Sequence, residues 1–169
     1  TQPGHAQFYY PKKYGYGELW LRMAERLGDR IIYNEPAVKL DLDKKCVNDK
    51  YEADVIINTA PWMSFDEIMG LPDNLNENIK ALKYSSIVID YPDPALDYHR
   101  ILVRHNFCPN SRGYWTETNL TRFNKDGKDE NNYFVMDYAY PLNTIGKQEK
   151  MAELLSYTKS KNVIGLGRL

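Results

Sequence analysis

Apolar residues first recur at helical spacing between residues 19 and 27. Leu19, Trp20, Met23, Ala24 and Leu27 fall at i, i+1, i+4, i+5 and i+8 and share one face of a helix. Glu18 suits the opening turn and Arg26 the closing one, and Gly28 stands where a left-handed stop is favoured. Trp20 and Met23 are therefore expected on the core side of this helix. Ahead of it, Phe8, Tyr9, Tyr10 and Pro11 read as extended chain.

Beyond Gly28 the period shortens. Residues 30–33 and 37–43 are candidate strands, the second alternating Val38, Leu40 and Leu42 with Lys39, Asp41 and Asp43; Lys44 and Lys45 turn the chain. The β-branched run 54–59, closed by Ala60 and Pro61, reads as a buried strand. A polar stretch rich in Pro and Asn, 72–78, is the best internal boundary. Four more strands are expected at 84–91, 99–104, 113–118 and 133–140, separated by turn-forming segments. Such short links favour an antiparallel meander. A second helix follows, with Met151, Leu154, Leu155 and Thr158 on one face and Asn143 or Thr144 as cap, and 162–169 begins a last strand. The fold class is α+β: an antiparallel sheet with two main helices, divided as 1–71, 72–142 and 143–169.

Composition narrows the classes. A chain of 169 residues that is 43% hydrophobic and 27% charged has a globular balance. At this size about 70% of the unfolded surface can be buried without disulfide or metal staples. With 22 Lys+Arg against 23 Asp+Glu, no long-range field is available to hold nucleic acid. No apolar run approaches the roughly 20 residues of a membrane span, and no secretory leader is visible. Cys46 and Cys108 stand apart, outside any CxxC, as ordinary thiols of a reducing compartment, so the expected location is cytoplasmic. The unusual count is 14 Tyr against 5 Phe, which suits a wet, half-buried ligand surface as well as sheet packing.

Candidate chemistry is sparse. Gly15-x-Gly17 precedes a helix but lacks the third glycine and the Lys-Ser/Thr of a phosphate loop, so it reads as a flexible helix entry. His5, His99 and His105 with the two cysteines show no metal-ligand spacing. The segment NFCPNSRGYWTE is more informative. There Arg112, flanked by aromatic rings after a Pro turn, either clamps a phosphate bidentately or pairs with a carboxylate such as Glu117. Tyr138 and Tyr140 are core edge or ligand contact.

Five segments in order (GYGELWLRMAERLG, DVIINTAPWMSF, ALKYSSIVIDY, NFCPNSRGYWTE and YAYPLNTIGKQEKMAELLSYTKSKNVIGLGRL) resemble the later part of UDP-galactopyranose mutases, flavoproteins of the wider amine-oxidase-like class. The resemblance runs from about Tyr14 to Leu169. It implies a substrate domain with flanking strands of an incomplete FAD-binding domain. In that family a reduced flavin bonds to the anomeric carbon of the sugar nucleotide while UDP leaves, and the sugar recloses as a furanose with no net redox change. By resemblance, Arg112 grips the UDP diphosphate and Tyr140 contacts the same region, with Asn106 and Tyr114 beside them as substrate contacts. Val38, Ala60, Pro61 and Arg168 are the expected cofactor contacts. The family's N-terminal GxGxxG unit, its mobile loop and the segment after Gly-Arg-Leu have no counterpart here. The chain is therefore expected to be a piece of a larger FAD enzyme, itself without bound flavin or activity. It is expected to self-associate through an apolar patch at 55–62 that faces the missing unit. Two other readings stay open: a fragment of an amine-oxidase-like oxidoreductase, and a non-catalytic carbohydrate- or partner-binding module.

Overall fold

A computed structural model describes residues 9–11, 13–90, 100–107 and 110–167. It is α+β, with three α-helices and both parallel and antiparallel strand pairs. The chain divides into two units, Thr1–Glu35 with Ile87–Val135 and Pro36–Ser86 with Met136–Leu169. Segments 1–71 and 72–142 each contribute to both.

In the second unit, β1 (Lys39–Asp41) runs antiparallel to β2 (Cys46–Val47) and parallel to β5 (Glu67–Met69), with β3 (Tyr51–Glu52) beyond β2. The turn after β1 is built by Asp41, whose carboxylate accepts from the backbone N–H groups of Asp43 and Lys44 at 3.0 and 2.9 Å. β4 (Ile56–Asn58) pairs in parallel with β10 (Val163–Gly165). Between these strands and the helices lies the core: Leu40, Leu42, Trp62, Leu75, Ile79, Leu82, Met151, Leu154 and Val163.

The polar stretch expected as a boundary is instead helix α2 (Asp73–Lys80). Its only apolar residues, Leu75 and Ile79, are four apart and both buried, so a narrow stripe suffices to dock it. Asn74 and Asn78 donate to the two carboxylate oxygens of Glu153 on α3 (Lys147–Ser160), at 2.9 and 3.1 Å. α3 buries Met151, Leu154 and Thr158 as its spacing predicts. Its N-cap is Gly146, at φ +74°, in place of Asn143 or Thr144, because the entering turn needs a left-handed residue. The run around β4 is buried on one face only. Ile56 packs on the core while Ile57 is 61% exposed, and Trp62 is fully buried, which removes it from the apolar surface expected at 55–62.

In the first unit, β8 (Tyr114–Asn119) lies between β7 (Arg100–Val103) and the later half of β6 (Tyr84–Asp90), antiparallel to both. The sheet is antiparallel as expected, but β6 and β7 are not neighbours, so the order is not a simple meander. Nine residues separate them, too many for a tight hairpin. Lys128 pairs with buried Asp90 on β6. β9 (Tyr133–Pro141) begins in this unit, with the Tyr133 ring tilted against Phe123 at 4.9 Å, and ends in the second, where Ser86 donates to the carbonyl of Asp137 at 3.0 Å.

Helix α1 (Gly15–Leu27) forms where the pattern places it, with an Arg22–Glu18 pair at 2.9 Å, but it buries no residue. Trp20 is 64% and Met23 48% exposed, so neither is core. Periodicity identifies a face fit for burial; whether another element covers it is a tertiary matter. The strand expected at 30–33 is likewise absent: a 3-10 turn, Gly28–Arg30, leads into irregular chain with Ile32 and Tyr33 exposed. Among the described residues, no helix is long and apolar enough to cross a membrane.

Candidate functional site

The β7–β8 hairpin gathers three of the expected substrate contacts at one end. Register pairs Val103 with Tyr114, and Arg104 N–H extends the ladder to the carbonyl of Gly113 at 3.3 Å. Gly113 sits at φ +83°, a left-handed position that its missing side chain allows. A 3-10 turn, Arg104–Asn106, then places Asn106 beside the connection that carries Arg112. Asn106 and Arg112 are exposed and Tyr114 is half-buried.

The carboxylate considered as a partner for Arg112 is already engaged. Glu117 is buried and accepts from Arg100, whose Nε lies 2.9 Å away. Arg100 stands directly across the ladder from Glu117, whereas Arg112 precedes the strand. Arg112 itself makes no ion pair among the described residues.

Next to this turn is a cleft of about 350 Å³ lined by Tyr10, Tyr14, Arg104, Phe107, Ser111 and Trp115, all in the first unit. The Arg104 guanidinium lies 5.6 Å from the centroid of the Trp115 ring. Tyr10 packs edge-on against Tyr16 at 5.1 Å and tilted against Phe107 at 5.4 Å. Gly15, also on the lining, is at φ +74°, and a Cβ there would meet the Tyr10 hydroxyl at 2.9 Å. Arg104, Trp115 and Tyr10 were not singled out from the sequence, because strand register and the return of the Tyr10 segment bring them together. The excess of tyrosine was the available signal.

The other expected site residues lie in the second unit. Tyr140 is half-exposed on β9, and its carbonyl accepts from the Ser85 hydroxyl at 3.4 Å. Tyr84 on β6 packs edge-on against Tyr138 at 5.5 Å; burial, and then Tyr138, hold its hydroxyl above the usual phenol range. Arg168 lies outside the described residues, as does Cys108. Among the described residues no group of His, Cys, Asp and Glu could hold a metal.

Val38, Ala60 and Pro61 fit an FAD cofactor only in part. Val38 N–H donates to the Asn48 side chain at 2.9 Å, and its carbonyl accepts from Asp66 at 2.8 Å. The Asn58 amide bonds both the N–H and the carbonyl of Ala60, at 3.0 and 3.1 Å. The carbonyl of Pro61 accepts from Ser64 N–H and hydroxyl. The main-chain groups of all three are thus engaged internally. What they can offer is half-buried apolar surface against a ring edge, not donors for a pyrophosphate.

A mixed sheet, a parallel strand pair backed by helices and a separate antiparallel sheet define the α+β class of this chain. That arrangement is similar to the crystal structure of reduced UDP-galactopyranose mutase, with a TM-score of 0.74 and 17% identity. The match covers 94% of this chain and 46% of that one, so the chain spans just under half of the solved mutase. No family model and no curated protein matches the sequence.

Proposed function

We propose that this chain belongs to an FAD-dependent enzyme resembling UDP-galactopyranose mutase, which interconverts the pyranose and furanose forms of a UDP-sugar. The observation that carries this reading is the fold similarity along 94% of the chain. The five ordered sequence segments support it. In this proposal the exposed Arg112 and the neighbouring Asn106 and Tyr114 hold the diphosphate end of the substrate, and Tyr140 contacts the same region. An arginine fork suits that task, since it donates two parallel charge-assisted hydrogen bonds to phosphate oxygens. Val38, Ala60, Pro61 and Arg168 border the cofactor. When bound, the flavin supplies the bond-making at the anomeric carbon, and the protein's share is to orient the sugar and stabilise the leaving diphosphate.

Because the main-chain groups of Val38, Ala60 and Pro61 are already bonded within the chain and leave no donor for the FAD pyrophosphate, the 169-residue chain alone is proposed to bind no flavin. The experiment is expression of the complete open reading frame that encodes this chain. A flavin absorption band, with conversion of UDP-galactofuranose to UDP-galactopyranose under reducing conditions, is the expected result. A flavoprotein that oxidises an amine and leaves the UDP-sugar unchanged would overturn the mutase reading in favour of an amine-oxidase-like oxidoreductase. Absence of flavin from the complete protein would overturn both.

A further inference from the structure

We propose that Asp126–Gly127 is a self-modification site, at which isomerisation to isoaspartate releases the strap that Lys128 fastens across the first unit's sheet. The reaction needs neither flavin nor sugar nucleotide. Segment 120–132 leaves β8 and joins β9 on the far side of β6, because the strand order is β7-β8-β6-β9. It is fastened there by a buried ion pair: Lys128, whose side chain is 16% exposed, reaches Asp90 on β6, which is 7% exposed. The same ammonium lies 5.1 Å from the centroid of the Phe123 ring. Lys128 is set in place by the turn before it, which closes through the Lys128 N–H onto the carbonyl of Lys125 at 3.1 Å.

Asp126 and Gly127 form the only Asp-Gly pair in the sequence, which contains no Asn-Gly. Both residues are exposed. Among the described residues the Asp126 carboxylate has no hydrogen-bonding or ionic partner, and neither does the Gly127 N–H. Nucleophile and electrophile are thus one residue apart and unoccupied by the fold. Gly127, at φ +73°, has no Cβ to hinder the approach, and nothing stands within 4 Å of where one would lie. The Gly127 nitrogen bonds to Cγ of Asp126, and the amide hydrogen leaves with the carboxyl hydroxyl as water. Water then opens the cyclic imide at the main-chain carbonyl, so the backbone runs on through Cβ and Cγ. No oxidant or cofactor enters, and the mass is unchanged. The chain gains a methylene inside the turn that sets Lys128. Withdrawal of the ammonium leaves the Asp90 carboxylate buried without its counter-ion, which favours opening of the strap.

The test is to age the purified chain for weeks in neutral buffer at physiological temperature. Isoaspartate is read by enzymatic methylation with S-adenosylmethionine and by peptide mapping with electron-transfer fragmentation. It is expected at position 126, at a rate close to that of a free synthetic peptide of residues 122–130. Asp126→Glu, whose longer side chain disfavours ring closure, should form none there and keep its melting temperature through the same ageing. Aged wild type should melt lower by roughly 5 °C or more, as should unaged Lys128→Gln. Ageing Lys128→Gln should cost it little more, since the contact is already gone. If Lys128→Gln does not fold, the double variant Asp90→Asn/Lys128→Gln decides. With neither charge present, ageing should lower its melting temperature less than that of wild type. No isoaspartate at position 126, a rate far below that of the free peptide, or an aged wild type that melts as before would each overturn the proposal. An equal ageing loss in the double variant would overturn it too.

Discussion

The same substitution in two helices should give losses of very different size. Leu154 on α3 is fully buried in the second unit's core, against Trp62, Leu75 and Val163 among others. Truncation to Ala there loses the transfer energy and leaves a cavity, about 2.7–5.0 kcal/mol for a Leu site of this kind. For a chain of this length each kcal/mol shifts the melting temperature by about 2–4 °C, so the expected drop is about 5–20 °C. Leu21 on α1 is 63% exposed, with roughly a third of its surface covered. Full burial of a leucine stabilises by about 1.5–3 kcal/mol, so Leu21→Ala forfeits about 0.5–1 kcal/mol. The better helix propensity of alanine offsets part of that, which leaves a shift within about 3 °C. Thermal melts followed by circular dichroism, at two protein concentrations, measure both. A Leu21→Ala loss as large as that of Leu154→Ala would show that the α1 face is covered in solution. A Leu154→Ala shift under about 2 °C would refute the core placed around α3.

Gly15→Ala should disturb the first unit locally, because a left-handed φ is strained for alanine and its Cβ would press on the Tyr10 hydroxyl. Tyrosine resonances of Tyr10 and Tyr16 that do not move in this variant would contradict the placement of that contact. The Asp41 carboxyl is held below its ordinary value, chiefly by the Lys44 backbone N–H, with the Lys44 ammonium also contributing. A depressed folded-state pKa stabilises above the unfolded value of about 3.9 and loses that contribution as pH falls toward the lower folded value. Wild type should therefore lose stability below about pH 4 more steeply than Asp41→Asn, and parallel acid titrations of the two would rule this out. In the complete protein, Arg112→Ala should weaken UDP-sugar binding by roughly tenfold to a hundredfold, with Arg112→Lys restoring only part. Unchanged KM and kcat in Arg112→Ala would remove that residue from the site.

Local elements with a strong period were legible in the sequence. The helix at Gly15–Leu27, the α3 face of Met151, Leu154 and Thr158, and the strands β6 to β9 all follow from spacing and turn residues alone. The β7–β8 pairing that puts Tyr114 opposite Val103 joins two strands that were also legible. The short strands β2, β3 and β5 left no pattern to read, being two or three residues each. Register decided that Arg100, not Arg112, neutralises Glu117, and it brought Arg104 to Trp115 across strands 11 residues apart in sequence. Burial was a tertiary outcome as well. α1 and α3 both present apolar residues at helical spacing, yet only α3 meets other elements that cover its face. Spacing along the chain tells which side chains share a surface. Which surfaces meet, and so which residues become core and which line a cleft, depends on pairings between segments distant in sequence, and only the folded chain makes them.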